Sequence, residues 1–184
     1  MAAVFRQRKV CHRTKLSYLI FDTPLGWVGI LGSQRGLVKL VLPQPSSEEA
    51  FCLFNEVAVR WQRLPRRARN DDFGDLPDRV RDYLSGEAAS FPDKLDLSRA
   101  SPFQRSVWQM TQSIPCGETR TYGWVAAKVG MPQAARAVGQ ALARNPLPVV
   151  IPCHRVICGD GNLGGFGGGK GWKQRLLEIE GMVI

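Results

Sequence analysis

The sequence has little histidine, no closely paired cysteines and no long apolar run, and each absence excludes a class of protein. Its 184 residues include two histidines and five cysteines, with no CxxC pair among them. Cys11 and His12 are adjacent but lie far along the chain from other candidate ligands, so the spacing typical of a zinc site is missing. We therefore expect no metal and no cofactor. An odd number of cysteines without a secretory leader favours reduced thiols.

Membrane insertion and secretion are also unexpected. The longest apolar runs span a few residues, such as Val149–Ile151, whereas a helix that crosses a bilayer needs about 20. Near the N-terminus, Val4 and Phe5 are followed at once by three basic residues, unlike the apolar stretch of a leader. We expect a cytoplasmic monomer without membrane contact, associated with the nucleoid if the source is bacterial or archaeal.

The charge is strongly positive and unevenly spread. The net charge of +9 favours a polyanionic partner. Basic residues outnumber acidic ones by twelve to four in 1–70 and by nine to four in 101–184, but acidic residues lead by eight to four in 71–100. We place a domain boundary at the end of this acidic stretch, giving domains 1–95 and 96–184. The basic run at 63–69 would suit phosphate contact, but a solvated loop is the favoured interpretation.

The first domain is predicted to be a small α/β scaffold. Three strand-like runs separated by turn residues indicate an antiparallel meander, and two segments have the pattern of helices. The predicted strands are Leu16–Phe21, Trp27–Leu31 and Leu37–Leu42, and the predicted helices are Ser47–Trp61 and Leu76–Leu84, with a loop over Arg63–Asp75.

The second domain is predicted to be mainly helical. Ser101, Pro102 and Gln104 form the pattern of a capping box, which starts a helix that ends near Ser113. Two further helices, joined by the short turn Gly130–Pro132, predict a helix-turn-helix. The remaining predictions are helices at Thr121–Val129 and Gln133–Arg144, a glycine-rich loop at Gly159–Gly171 and a last helix at Gly171–Glu180.

Cys153, His154 and Arg155 are the main candidates for chemistry. A thiol becomes a strong nucleophile as thiolate, and an adjacent imidazole or guanidinium favours that form. Glu180 shares a helix face with Trp172 and Leu176, where an unpaired carboxylate is costly. We therefore predict that Glu180 is buried and paired with His154. The alternatives are an inert buried cysteine and a frayed terminal glutamate in solvent.

Arg136 lies in a run of small residues, Ala134–Ala143. Small side chains let a helix approach a surface closely, and an arginine in such a face can enter a DNA duplex. The same composition also suits a helix packed inside the protein with Arg136 at its rim.

These residues together resemble the 6-O-alkylguanine-DNA alkyltransferase family. The matching segments, spread over Ser101–Gly181, are Thr121-Tyr122, Ala134–Gly139, Arg144–Pro146, Ile151–Val156 and Glu180-Gly181. The resemblance implies an α/β N-terminal domain and a mainly α C-terminal domain whose helix-turn-helix enters the minor groove of double-stranded DNA and flips out the damaged base. It implies transfer of an alkyl group from the 6-oxygen of guanine, and from the 4-oxygen of thymine, to a cysteine that is used once.

The resemblance also implies roles for individual residues. Cys153 would accept the alkyl group, activated through a water by His154 and Glu180. Tyr122 would act at the flipped nucleotide and help to protonate the departing oxygen, Asn145 would be a hinge, and Lys173 would lie near the site. Arg136 would fill the base stack, within a DNA-binding set of Arg136, Tyr122, Ala137, Gly139, Leu142 and Arg144.

The base pocket would comprise Val156, Phe166 and Gly167, with the carbonyls of Cys153 and Val156 accepting from the guanine amine. Phe166 stands where the family often has tyrosine, and Gly167 stands where serine occurs. The first change removes a hydroxyl, and the second leaves the backbone N–H in place.

Two other functions use some of the same residues. Alkyltransferase-like proteins bind lesions without repairing them, but they lack the acceptor cysteine that is present here as Cys153. A Cys-His-Glu hydrolase would use the same three side chains and turn over many times. It would leave the helix-turn-helix and the positive charge unexplained.

Overall fold

A computed structural model describes residues 15–61 and 65–183, without the side chains of 55–61, 70–71 and 170. Its N-terminal half is built on strands β1 (Leu16–Thr23), β2 (Gly26–Ser33) and β3 (Gly36–Gln44), which pair antiparallel as predicted. The β1–β2 turn is closed by Thr23 Oγ1, which donates to the Gly26 carbonyl over 2.6 Å. Gly26 has a φ of 122°, which side-chain-bearing residues rarely adopt.

The sheet is mixed, whereas the sequence predicted a small antiparallel sheet. A fourth strand, β4 (Arg66–Arg67), pairs parallel with β1 in the segment predicted to be a loop. Two exposed arginines carry no alternating apolar pattern, so sequence periodicity could not reveal this strand. Arg66 of the basic run pairs with Asp72 over 3.0 Å. Residues 63 and 64 of that run, like Cys11 and His12, lie outside the described residues.

Two helices complete this half and begin and end as predicted. Helix α1 (Ser47–Trp61) packs on the sheet through Ala50 and Phe54, both buried. Helix α2 (Leu76–Leu84) buries Val80 and Tyr83.

The C-terminal half is mainly helical. It contains α3 (Pro102–Gln112), α4 (Tyr122–Lys128), α5 (Ala135–Ala143) and α6 (Lys170–Ile179). The capping box that starts α3 is present, because Ser101 and Gln104 each bond to the other's backbone N–H. The short parallel strands β5 (Arg120–Thr121) and β6 (Val156–Ile157) were not predicted.

The larger of two apolar clusters runs through both halves of the described chain. It includes Val28 and Leu40 from the sheet, Val107 from α3 and Leu176 from α6. The free edge of β3 also meets the C-terminal half, since the Leu40 N–H donates to the Pro146 carbonyl over 2.9 Å. The sheet is therefore held directly against the segment that precedes Cys153. Among the helices described, none is long and apolar enough to span a membrane.

Candidate active site

Cys153 begins a single 3-10 turn, Cys153–Arg155, and its side chain is buried. The side-chain amide of Asn145 donates to Sγ over 3.0 Å and to the Ile151 carbonyl over 2.8 Å. The Asn145 side-chain oxygen accepts from the Leu147 N–H over 3.0 Å. Asn145 therefore fixes the chain before the turn and the position of the sulfur together.

The thiol is neutral at physiological pH. Burial raises the pKa of Cys153 to about 11, although the Asn145 amide and the charge of Lys173 partly oppose this. A nucleophilic sulfur at this position therefore requires a base to take its proton.

His154 and Glu180 form a buried pair, as predicted. The two side chains are 0% and 1% exposed, and His154 Nε2 lies 2.7 Å from Glu180 Oε1. Arg155 is a second partner of Glu180, which the sequence did not reveal. Its Nη2 lies 2.8 Å from Glu180 Oε1, and its Nε lies 2.9 Å from Oε2. The Gly117 N–H also donates to Oε2 over 3.2 Å.

These contacts define the protonation state of the pair. Burial opposes the charge of Glu180, but hydrogen bonds from His154 and Arg155 outweigh it and hold the pKa of this carboxyl well below its usual range. Burial lowers the pKa of His154, so the ring is neutral at pH 7. Because Nε2 faces a carboxylate, it carries the ring proton. Nδ1 is buried, has no hydrogen-bond partner among the described residues, and is left with a free lone pair.

Tyr122 and Lys173 lie on the other side of the turn. Lys173 Nζ donates to the carbonyls of Val156, over 2.5 Å, and Leu163, and lies 3.4 Å from Tyr122 Oη. Burial lowers the pKa of Lys173 to about 8 and raises the pKa of Tyr122, so the phenol keeps its proton at neutral pH.

The two carbonyls expected to accept from guanine already have internal donors. Val156 O accepts from Lys173, and Cys153 O accepts from the Val156 N–H. Each carbonyl oxygen has a second lone pair for a base.

A cavity of about 670 Å³ opens beside Cys153. Its C-terminal wall includes Phe166, Gly167 and Trp172. Of the three residues expected to form a base pocket, Phe166 and Gly167 line this cavity, whereas Val156 is fully buried and does not line it. The opposite wall of the cavity comes from β3 and was not predicted from the sequence. Gly167 fits tightly, since a Cβ built there would lie 2.8 Å from the Ala143 carbonyl oxygen.

Helix α5 presents Arg136 and Ala137 to solvent, and Arg144 follows at its exposed C-terminal end. The Arg136 side chain makes no hydrogen bond or ion pair within residues 15–61 and 65–183. Gly139 is half-buried, and a Cβ built on it would lie 3.7 Å from the Tyr122 ring. Leu142 was expected on the DNA side but is buried, because it lies one helical turn after Val138 on the core face.

Sequence reasoning missed Tyr83 altogether. Its hydroxyl lies 2.7 Å from Glu180 Oε1 and 3.1 Å from His154 Nε2. The spacing of α2 marks Tyr83 only as a core aromatic, and nothing local indicates a partner 97 residues away.

Comparisons with known proteins agree on one family. The family described as "6-O-methylguanine DNA methyltransferase, DNA binding domain" matches residues 102–182. A methylated-DNA–protein-cysteine methyltransferase of Mycolicibacterium paratuberculosis is 39% identical over 165 residues, covering 90% of this chain and 92% of the relative. One from Salmonella typhimurium is 45% identical over 162 residues, covering 88% and 94%.

Solved structures give the same result. The Mycobacterium tuberculosis OGT in complex with DNA is similar with a TM-score of 0.72 and 37% identity, covering 89% of this chain and 92% of that one. The O6-methylguanine-DNA methyltransferase of Pyrococcus kodakaraensis is similar with a TM-score of 0.65 and 30% identity, covering 91% and 99%.

Proposed function

The chain belongs to the methylated-DNA–protein-cysteine methyltransferase family, and we propose that it repairs DNA by moving an alkyl group from the 6-oxygen of guanine to Sγ of Cys153. The 4-oxygen of thymine would be a second source of the alkyl group. The main support for this proposal is that the buried thiol of Cys153 borders a cavity and that the next residue, His154, forms a buried pair with Glu180. DNA repair by a methyltransferase acting on alkylated DNA is the activity of this family, and the site supplies the chemistry for it.

The reaction begins with loss of the thiol proton. In our proposal, a water carries this proton from Sγ to Nδ1 of His154, the buried ring nitrogen that has a free lone pair. The resulting imidazolium is stabilised by the carboxylate of Glu180, 2.7 Å away on the opposite side of the ring. The pair therefore provides the base that a thiol with a pKa of about 11 needs.

Transfer then exchanges one bond for another. The Sγ–carbon bond forms as the carbon–oxygen bond breaks, and the bonding electrons stay with the guanine oxygen. Tyr122, whose raised pKa keeps it protonated, donates toward the departing oxygen, and a proton delivered to guanine balances the one taken by His154. The product is a thioether, which water does not readily cleave, so each protein molecule acts once.

DNA would be engaged through α4 and α5 acting as a helix-turn-helix. The alkyl carbon of a stacked base is out of reach of a buried thiol, so the nucleotide has to be flipped into the cavity. Arg136, exposed and without a partner among the described residues, is suited to fill the gap in the stack. Ala137, Gly139 and Arg144 would contact the double strand from the minor groove, with Leu142 supporting them from the core.

The flipped base would rest against Phe166 and the backbone of Gly167. Because a Cβ at Gly167 would collide with the Ala143 carbonyl, this position contributes its N–H and not a side chain. We propose that residues 1–95 serve as a scaffold, that 96–184 bind DNA and accept the alkyl group, and that the protein acts as a monomer.

Stoichiometry is the direct test of the proposal. With excess duplex DNA containing 6-O-methylguanine, we expect one guanine restored per protein molecule and an intact-mass gain of one CH2 unit. Quantitative chromatography of the DNA and mass spectrometry of the protein measure both. A hydrolase would release many products without a change in mass, and that outcome would refute single-use transfer.

Glu180→Gln should slow transfer while leaving the fold in place. The amide keeps the shape of the carboxylate but removes the charge that stabilises the imidazolium. The pKa of His154 should then fall further, making His154 a weaker base, and the plateau rate should drop roughly 10- to 100-fold. Since protonation of His154 stops the reaction, the acid limb of the pH–rate profile should also move to lower pH.

The matched control is Glu178→Gln, which removes the same charge from an exposed position on the last turn of α6. Single-turnover rates between pH 5 and 8, with circular dichroism for the fold, provide the comparison. Equal rates for the Glu180 variant and the wild type would mean that the charge of Glu180 has no part in the reaction.

A further inference from the structure

Tyr83 brings a hydroxyl from the N-terminal half to the His–Glu pair. It lies in α2 and is 4% exposed, with its ring packed edge-on against Phe91 at a centroid distance of 5.9 Å. Its Oη lies 2.7 Å from Glu180 Oε1 and 3.1 Å from His154 Nε2. The hydroxyl is therefore within bonding distance of both members of the pair.

The direction of these hydrogen bonds follows from counting protons. Glu180 is an ionised carboxylate and can only accept, so the single hydroxyl proton of Tyr83 points to Oε1. Burial beside this carboxylate raises the pKa of Tyr83, so the hydroxyl stays protonated and remains a donor. His154 donates its Nε2 proton to the same oxygen over 2.7 Å. Tyr83 and His154 thus compete for one lone-pair region of Glu180.

A carboxylate oxygen that already accepts several hydrogen bonds is a weaker acceptor for each of them. Oε1 accepts from Tyr83, from His154 and from Arg155 Nη2 at 2.8 Å. Each added donor reduces the negative charge available to hold a proton on the imidazole.

We infer that Tyr83 is a positioning residue of the transfer site: by occupying Glu180 Oε1, its hydroxyl limits the hold of the carboxylate on His154 and keeps that imidazole a free base. This inference rests on the proposed function for its catalytic meaning. The effect of the Tyr83 hydroxyl on the protonation of His154 can be measured without DNA and does not depend on that function.

The other charged and titratable groups around the pair come from several elements. Arg155, on the same turn, and Lys173, on α6, are cations that oppose a further positive charge on His154. Cys116, in the loop after α3, is also close to Glu180, and Cys153 adjoins His154 in the chain. Among the described residues, Tyr83 is the neutral hydroxyl donor to the carboxylate.

Tyr83→Phe removes the hydroxyl and keeps the ring. NMR titration of the His154 ring protons measures the effect, and because the chain has only two histidines, a His12→Gln background isolates the signal. We expect the His154 midpoint to rise by about half a pH unit or more, roughly a threefold change in the proton-binding constant. The transfer rate at pH 6 should fall by about two- to threefold, whereas at pH 8, where the ring is neutral in both proteins, the rate should be equal to that of the wild type or slightly higher because the imidazole is a stronger base.

Tyr18→Phe is the matched control. The Tyr18 ring packs against Phe51 and Phe54, and its hydroxyl has no hydrogen-bond partner in the described parts of the chain. This variant should leave both the midpoint and the pH–rate profile unchanged.

Incorporating 3-fluorotyrosine at position 83 should shift the His154 midpoint in the opposite direction. This test does not require the phenylalanine variant to fold. The fluorine strengthens the hydroxyl as a donor, so the His154 midpoint should fall. An unmoved midpoint in both variants, a shift of either in the other direction, or a uniform loss of rate at every pH would overturn the inference. If the wild type itself transfers no methyl group, the proposed function fails while the titration still tests Tyr83.

Discussion

Cys153→Ala should abolish alkyl transfer and leave DNA binding nearly intact. The substitution removes the sulfur that would form the new bond in the proposed transfer, and alanine has no group to take its place 3.0 Å from the Asn145 amide. The side chain is buried, whereas the phosphate contacts are expected from exposed residues of α5, so these contacts should be preserved. Restored guanine, measured after incubation with 6-O-methylguanine DNA, should be undetectable, while the gel-shift affinity for DNA should change little.

Cys158 provides the sharpest control for this experiment. Its sulfur and the Tyr122 hydroxyl both lie beside Gly164: a Cβ built on this glycine would be 3.0 Å from Cys158 Sγ and 3.2 Å from Tyr122 Oη. Cys158 is therefore a second thiol close to the proposed site. Cys158→Ala and Cys116→Ala should both retain transfer. Peptide mapping of the wild type should locate the added CH2 on the peptide that contains Cys153, and a methyl group on either other cysteine would contradict the assignment.

Arg136→Ala should slow the repair of duplex DNA by roughly 100-fold while sparing the reaction with a free alkylated base. In the proposed complex, the arginine side chain would replace the flipped nucleotide in the duplex, and without it the base would return to the stack before transfer. A free base needs no flipping, so its reaction depends only on the cavity and the thiol. Single-turnover rates with the two substrates measure the difference.

Arg105→Ala removes one positive charge from the exposed face of α3 and serves as the charge control. It should weaken DNA binding slightly at low salt without changing the ratio of the two rates. Equal losses on both substrates in the Arg136 variant would assign Arg136 to chemistry or folding. Affinity for DNA should fall steeply with salt in every variant, because phosphate contacts release counterions.

Local sequence signals predicted much of the fold. The bounds of α1 and α2 follow from the apolar period and flanking turn residues, and the start of α3 follows from the Ser101–Gln104 capping box. The burial of Glu180 was predictable because its four-residue spacing from Leu176 places a carboxylate on an apolar face. Each of these inferences uses residues that are close along the chain.

Features that depend on distant parts of the chain could not be predicted in this way. Strand β4 and the β5–β6 pair are two residues long, too short for a period to be recognised. Tyr83 contacts Glu180 only because α2 and α6 pack together. Arg155 was considered in the sequence only as a neighbour of Cys153, and its pairing with Glu180 was not predicted. The wall of the cavity formed by β3 depends in the same way on the docking of the sheet.

The hydrogen bond between the Leu40 N–H and the Pro146 carbonyl affects which fragments of this protein can be expected to function. A fragment limited to residues 102–182, the segment that matches the DNA-binding-domain model, would carry the thiol, the His–Glu pair and helix α5 with Arg136. It would nevertheless lose the strand that braces the segment around Asn145, the opposite wall of the cavity and the Tyr83 hydroxyl. If the proposed transfer is correct, we expect the smallest unit able to perform it to be larger than residues 102–182, because the N-terminal scaffold also completes the site.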